Sequence, residues 1–292
     1  MNIAIALDIG GSHVTAAAVD LDVHGVIAPS LIRREVQQDA LADVLLRTWA
    51  EAALSAVQLT PLAQPTRIGV AMPGPFDYAA GISHLQHKFA ALFGRNVADG
   101  LREHWAANPL ADLPIRFAND AAAWALGEWW GGAAQGLPRV IGITLGTGFG
   151  SGFVANGQIV TTGENVPAGG ELWNTPYQND IAENFVAGAA IQRVYAKHTG
   201  QQLAVSDIAQ LADDGDAAAR SVFAEMGQHL AHILQPWAQR FQPAGLVVGG
   251  NIARAWTHYH EPLQEGLPTV LCSCTQQFEL SSLLGAAALD AV

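Results

Sequence analysis

The pattern of apolar and polar positions divides the chain into short buried strands that run into glycine and longer stretches of helical spacing. Ile3 to Leu7 is a continuous apolar run that meets Asp8-Ile9-Gly10-Gly11, which predicts a buried strand entering a tight turn. Residues 14–19 predict a second strand, and the polar segment 20–25 a turn into a third, together an antiparallel meander. Leu41, Val44, Leu45, Trp49, Ala52 and Ala53 recur at helical spacing and predict a helix over 39–57. A buried strand over 68–71 must end at Met72-Pro73-Gly74-Pro75. A helix over 92–105 and a strand over 114–118 follow.

The second half repeats this grammar. A helix is expected over 120–130, then a strand over 140–145 that ends in Gly146-Thr147-Gly148. Strands over 152–155 and 158–161 flank Asn156-Gly157, a strong hairpin signal because both turn centres need positive φ. Helices are expected over 181–199 and over 216–241, the latter kinked at Pro236. A strand over 246–248 runs into Gly249-Gly250, and a final helix over 281–291 takes Ser281 or Ser282 as its cap. This predicts a duplicated α/β architecture with its boundary between Pro114 and Asn119. The expected domains are 1–118 plus 280–292, the smaller, and 119–279, the larger, with a ligand site in the cleft between them.

Composition narrows the chemistry. Half of the 292 residues are hydrophobic and 14% are charged, which supports a sizeable core and argues against disorder. The balance of 14 basic and 26 acidic residues, net −12, disfavours phosphate-backbone contacts, so no nucleic-acid partner is expected. No apolar run approaches the roughly 18 residues of a membrane helix, and the N-terminus does not read as a secretory leader. A cytoplasmic protein without a membrane partner is expected. Cys272 and Cys274 read as reduced thiols and cannot alone build a four-ligand zinc site. The 30 glycines are about a tenth of the chain, above the usual share of about 7%.

Glycine can bind phosphate where lysine and arginine are scarce. Three strand ends carry such turns: Gly10-Gly11-Ser12, Gly146-Thr147-Gly148 and Gly249-Gly250. Their backbone N–H groups can converge on phosphate oxygens, and Ser12 and Thr147 add hydroxyl donors. Asp8 would repel phosphate directly, so its expected role is to hold Mg²⁺ through water or phosphate. There is no P-loop and no Gly-x-Gly-x-x-Gly after the first strand, which disfavours P-loop enzymes and Rossmann dehydrogenases.

Asp8-Ile9-Gly10-Gly11-Ser12, with Asp20 closing the next strand, resembles the first phosphate motif of the ROK sugar kinases. Gly69 to Pro75 is similar to that family's Pro-Gly-Pro loop. Asn119-Asp120-Ala121, Thr144 to Gly150, Gly170-Glu171 and Pro243 to Ala253 resemble its further motifs in the family's order. The resemblance covers nearly the whole chain. It implies the two-domain actin-like ATPase (ribonuclease H-like) fold, with ATP and Mg²⁺ as cofactors and a small-molecule sugar as partner; a homodimer is left open. On its own, Asp120 reads as a helix cap; the resemblance makes it the general base. Gly74, Asn119, Glu171, Asn174 and Glu183 then become sugar-binding residues.

Two departures from the family pattern stand out. Members carry a structural zinc in a cysteine-rich stretch, whereas residues 171–183 here contain no cysteine and Asn174 stands at the histidine position. No zinc is expected, and Trp173, Pro176 and Tyr177 are expected to pack in its place. His13 stands where many members have lysine, removing a phosphate cation at neutral pH. The leading expectation is an ATP-dependent kinase acting on the 6-hydroxyl of a glucose-like hexose. The alternatives are an N-acetylhexosamine kinase, a sugar-binding protein with weak turnover, and a sugar-sensing regulator. The last is disfavoured by the net charge and by the early position of Asp8.

Overall fold

Apolar runs ending in glycine become the parallel strands of two sheets in a computed structural model that describes residues 2–61 and 64–290. Ala291, the last residue of the expected final helix, and residues 1 and 292 of the expected first domain lie outside the described residues. The chain begins with β1 (Ile3–Ile9), β2 (His13–Asp20), β3 (Gly25–Val26), β4 (Ile32–Glu35) and α1 (Ala42–Gln58). Next come β5 (Pro65–Met72), β6 (Phe76–Asp77), β7 (Ile82–Ser83), α2 (Val97–His104), β8 (Ile115–Asn119) and α3 (Asp120–Gly131). The second half contains β9 (Arg139–Leu145), β10 (Phe149–Ala155), β11 (Gln158–Ile159), β12 (Pro176–Tyr177), β13 (Asp180–Ile181) and α4 (Glu183–Val186). It continues with α5 (Gly188–Thr199), α6 (Val205–Asp213), α7 (Ala217–Phe241), β14 (Gly245–Gly249), α8 (His260–Gly266), β15 (Leu271–Cys274) and α9 (Leu280–Ala288).

The chain divides into two compact units, Met1–Gly131 with Glu279–Val292, and Gly132–Phe278. The expected boundary before Asn119 falls at the last residue of β8 and parts the strand from α3, whereas the compact units keep β8 and α3 together. In the first unit the strand order is β3-β2-β1-β5-β8, with β4 also on β2. β1, β5 and β8 are parallel, and the register sets Asp8 beside Ala71 and Met72 beside Asn119. Ile3, Ile5, Leu7 and Ile9 are buried with Leu45, Trp49 and Ala53 of α1. Trp105, just past α2, donates from its indole N–H to Ala50 O at 3.1 Å, tying α2 to α1.

In the second unit the order is β11-β10-β9-β14-β15, with β9, β14 and β15 parallel. Ile141, Ile143, Leu246 and Val248 pack with Phe223, Met226 and Leu230 of α7. α7 starts where Asp216 caps it by accepting from Ala219 N–H at 2.7 Å, and it runs through Pro236. Asn156 and Gly157 take the expected positive φ, 48° and 80°, at the β10–β11 hairpin.

Three helical expectations need correction. The helix does not run on from Leu92, which ends a short 3-10 turn over Ala90–Leu92: Gly94 sits at φ 72°, and α2 starts after Asn96, whose side chain accepts from Asp99 N–H. The expected helix over 181–199 is split, since Ile181 belongs to β13 and Ala187 is extended between α4 and α5. Neither serine caps α9: Glu279 precedes it, and Ser281 lies inside it, donating to the buried Glu128 of α3 at 2.6 Å. That bond joins α3 to α9 within the first unit. No helix of the described residues is long and apolar enough to cross a membrane.

Candidate functional site

In the first unit, Asp8, Met72 and Asn119 sit at the carboxyl ends of adjacent parallel strands, where open α/β sheets collect their ligands. Gly10 N–H donates to His13 O at 2.9 Å, which closes the β1–β2 turn. The N–H groups of Gly11 and Ser12 have no acceptor among the described residues. Gly74 lies in the loop after β5, and its peptide bond to Pro75 is cis.

Asn119 supplies the cap that the sequence alone assigned to Asp120. Its Oδ1 accepts from Ala121 and Ala122 N–H at 3.0 and 3.2 Å, while its Nδ2 donates to Tyr78 Oη at 3.3 Å. Tyr78 Oη in turn donates to Met72 O at 3.2 Å, which ties the Gly74 loop to β8. Asp120 Oδ1 accepts from Ala121 N–H at 2.9 Å. Asp120 also acts on Asp8. The Asp8 pKa is pushed up to about 7, chiefly by burial, then by the charges of Asp120 and Glu279, with Arg33 opposing.

Sequence reasoning missed the cations beside this turn. Arg33 donates to Glu279 at 3.0 Å and stands 3.4 Å from His13 Nδ1. Ser12 Oγ lies 3.0 Å from the same nitrogen. Burial, then the Arg33 charge, pull the His13 pKa below its ordinary value, so His13 is neutral at pH 7. The stem of Lys88 passes over Gly11, its Cδ 3.8 Å from where a Cβ would stand. Arg33 and the stem of Lys88 are thus the basic side chains that the structure brings to this turn beside His13. Arg33 and Glu279 are 246 positions apart, and no local pattern announces such a pair.

The second unit builds its turn from backbone groups and the Glu183 carboxylate. Gly146 uses its own N–H toward Gly148 O at 3.0 Å and accepts from Gly188 N–H at 2.8 Å. The N–H groups of Thr147 and Gly148 have no acceptor among the described residues. Glu183 reaches this turn: its Oε2 accepts from Phe149 N–H at 2.9 Å, and a Cβ on Gly148 would meet that oxygen at 2.9 Å. Gly249 pairs with Thr144. Gly250 has φ 79°, and a Cβ there would come within 2.3 Å of Leu145 O, so the third glycine turn packs directly on the second.

Glu171, Trp173, Asn174 and Glu183 are joined through one backbone segment. Ser151 Oγ donates to Gly170 O at 2.7 Å and accepts from Leu172 N–H at 2.9 Å. Trp173 Nε1 donates to Glu171 Oε2 at 3.0 Å, and Trp173 O accepts from Glu183 N–H at 3.0 Å. Asn174 is exposed. Tyr177 packs edge-on against Phe185 and His229, its Oη 2.9 Å from His229 Nδ1. Of the residues expected to pack here, Tyr177 does so, while Trp173 and Pro176 are exposed. Among the described residues, no group of three or more His, Cys, Asp or Glu side chains is arranged to hold a metal ion.

A sequence profile described as the ROK family matches residues 4–290. A glucokinase of Halalkalibacterium halodurans is 31% identical over 192 residues, which span 55% of this chain and 58% of that protein. An N-acetyl-D-glucosamine kinase of Photobacterium profundum is 25% identical over 274 residues, 87% of this chain and 86% of that protein. A crystal structure of a ROK family glucokinase from Streptomyces griseus, in complex with glucose and AMPPNP, superposes with a TM-score of 0.76 at 21% identity. It covers 99% of both chains. The fold is therefore the two-domain α/β fold of the actin-like ATPases.

Proposed function

The chain belongs to the ROK family, and from that premise we propose that it is an ATP-dependent sugar kinase acting on the 6-hydroxyl of a glucose-like hexose. The observation that carries this reading is Asp120. It stands at the end of β8, its capping duty is taken by Asn119, and its charge acts on Asp8. In the proposed reaction a sugar hydroxyl oxygen attacks the γ-phosphorus of ATP. The new O–P bond forms as the β–γ bridging bond breaks, ADP leaves, and the Asp120 carboxylate takes the hydroxyl proton. A positioned base contributes typically about 10²–10⁴-fold.

Binding falls to groups with free hydrogen-bonding capacity. Gly11, Ser12, Thr147 and Gly148 have N–H groups to offer phosphate oxygens, and Arg33 and Lys88 add charge. Gly74, Asn119, Glu171, Asn174 and Glu183 are the proposed sugar residues. Asn119 retains one Nδ2 proton for a hydroxyl, since its Oδ1 serves the helix and the other proton serves Tyr78. Asp8, its pKa raised chiefly by burial and then by two neighbouring carboxylates, suits a divalent cation. As a single carboxylate, it fits an Mg²⁺ ion that arrives with the nucleotide and supplies charge neutralisation of the phosphates.

A second reading within the same chemistry is a kinase for an N-acetylhexosamine, supported by the exposed Asn174, three residues after Glu171, and by the Photobacterium profundum relative. One assay tests both: sugar phosphate and ADP measured across hexoses and N-acetylhexosamines, for the wild type and Asp120→Asn. The expected outcome is sugar phosphate from the wild type and a kcat lower by about 10²–10⁴-fold in the variant. Equal turnover in Asp120→Asn would remove the general base. A larger kcat/KM for N-acetylglucosamine than for glucose would favour the second reading.

A further inference from the structure

Tryptophan is costly to leave in water, and Trp173 is 39% exposed while its neighbour Leu172 is fully buried. It is the one large aromatic side chain among the described residues of the second unit that is exposed. Its polar atoms are nonetheless fixed. The indole N–H holds Glu171 Oε2 at 3.0 Å, and the carbonyl holds Glu183 N–H at 3.0 Å. The Glu171 stem lies over Gly169, at φ 71°, where an added Cβ would stand 3.5 Å from Glu171 Cγ. One residue therefore orients a carboxylate and presents a bare ring beside it. An apolar ring face next to a carboxylate acceptor matches a pyranose, which has a C–H face and hydroxyl edges.

We propose that Trp173 is a specificity-determining residue that contacts the sugar, its ring packing on the C–H face of an aldohexopyranose while its indole N–H aims Glu171 at a hydroxyl. This rests on the sugar-kinase reading and deepens it. The ring selects for the presence of an apolar sugar face, and Glu171, held through Oε2, presents Oε1 to a hydroxyl. Removing the ring weakens sugar binding and leaves nucleotide binding alone. Removing only the N–H keeps the platform and loosens Glu171, a smaller effect on the same constant.

The test compares Trp173→Leu and Trp173→Phe with the wild type, using KM for sugar, KM for ATP and kcat, plus calorimetric binding of the same sugars without ATP. Trp173→Leu is expected to raise the sugar KM and dissociation constant about tenfold, in line with aromatic packing energies, with the ATP KM unchanged. Trp173→Phe is expected to fall between the two. An unchanged sugar KM in both variants overturns the assignment while leaving the kinase reading intact. So does an equal rise in both KM values, because a merely structural role moves both. A wild type that neither binds nor phosphorylates any sugar of the panel overturns both readings.

Discussion

The first and second units present the same device, a glycine turn closing the first hairpin of a sheet, and surround it with opposite chemistry. Strand orders β3-β2-β1-β5-β8 and β11-β10-β9-β14-β15 place each turn equivalently. Around Gly10 to Ser12 stand Asp8, on which the charges of Asp120, Glu279 and Arg33 act, and the stem of Lys88. Around Gly146 to Gly148 the Glu183 carboxylate reaches in, and its Oε2 accepts from Phe149 N–H. On the proposed reading, the duplicated scaffold separates two tasks: the first copy holds the carboxylates that take up a proton and a cation, and the second offers backbone donors held in place by their own contacts.

The largest expected effect tests that division directly. Asp120→Asn is expected to lower kcat by about 10²–10⁴-fold. Its thermal midpoint should hold, because Asn119 caps α3, so the stability change is expected within about 0.5 kcal/mol. Glu183→Gln retains an amide oxygen for Phe149 N–H and is expected to keep kcat within about tenfold of wild type, since no proton transfer is assigned to it. If Glu183→Gln loses as much kcat as Asp120→Asn, the separation of tasks is wrong.

A second contrast concerns what glycine is for in each unit. At Gly250 the φ of 79° and the 2.3 Å approach to Leu145 O forbid a methyl group. Gly250→Ala is expected to cost about 3 kcal/mol, read as a lowered thermal midpoint. At Gly11 the nearest atom to a new Cβ is the flexible Lys88 Cδ at 3.8 Å. Gly11→Ala is expected to leave stability within about 0.5 kcal/mol, while its methyl crowds an approaching phosphate and raises the ATP KM. Equal thermal losses in the two variants would erase the distinction.

What the chain announces locally, and what it does not, follows the same line. The strand-to-glycine runs at Asp8, Leu145 and Val248 form because apolar runs and φ-permissive residues act over a few positions. The hairpin at Asn156-Gly157 forms for the same reason. The helix expected from Leu92 has its apolar spacing intact, and Leu92, Val97, Leu101 and Trp105 are all buried. Its first residues nevertheless take other conformations because Gly94 N–H and Val97 N–H bond to Ser83 O and Gly81 O. The break before Gly188 likewise arises from a distant partner, Gly146 O. Ser281 is pulled from capping by Glu128, 153 positions away. In the site, Asp8, Asn119 and Asp120 were legible as residues at strand ends. Arg33, Tyr78 and the Trp173–Glu171 bond were not, since each acquires meaning only from its partner.

Smaller effects sharpen how the second unit holds the segment from Glu171 to Glu183, the proposed sugar segment. Tyr177 Oη meets His229 Nδ1 at 2.9 Å, and His229 Nε2 faces Glu225 Oε1 at 3.5 Å. This arrangement suits a neutral imidazole that donates from Nε2 and accepts the Tyr177 hydroxyl proton at Nδ1. Tyr177→Phe keeps both ring contacts and is expected to cost about 1 kcal/mol. It should also raise the sugar KM with little change in kcat, because β12 lies between Asn174 and Glu183. A loss of kcat comparable to Asp120→Asn would instead move catalysis into this segment.

The weakest expected effect is a pH dependence with a defined sign. Burial lowers the His229 pKa, outweighing the opposing charge and hydrogen bond of Glu225, and His232 adds to the lowering. In the unfolded chain His229 takes a proton near pH 6.5, which the folded chain refuses until lower pH. Between those two values the unfolded state binds more protons, so stability falls as pH falls; above pH 6.5 both states are neutral and the contribution is flat. The thermal midpoint of the wild type should therefore drop between pH 7 and pH 5 by more than that of His229→Gln, measured in parallel. Asp8 lies in the first unit and is present in both proteins, so its titration cancels in the difference. A difference of opposite sign would mean that the Glu225 charge overcomes burial at His229.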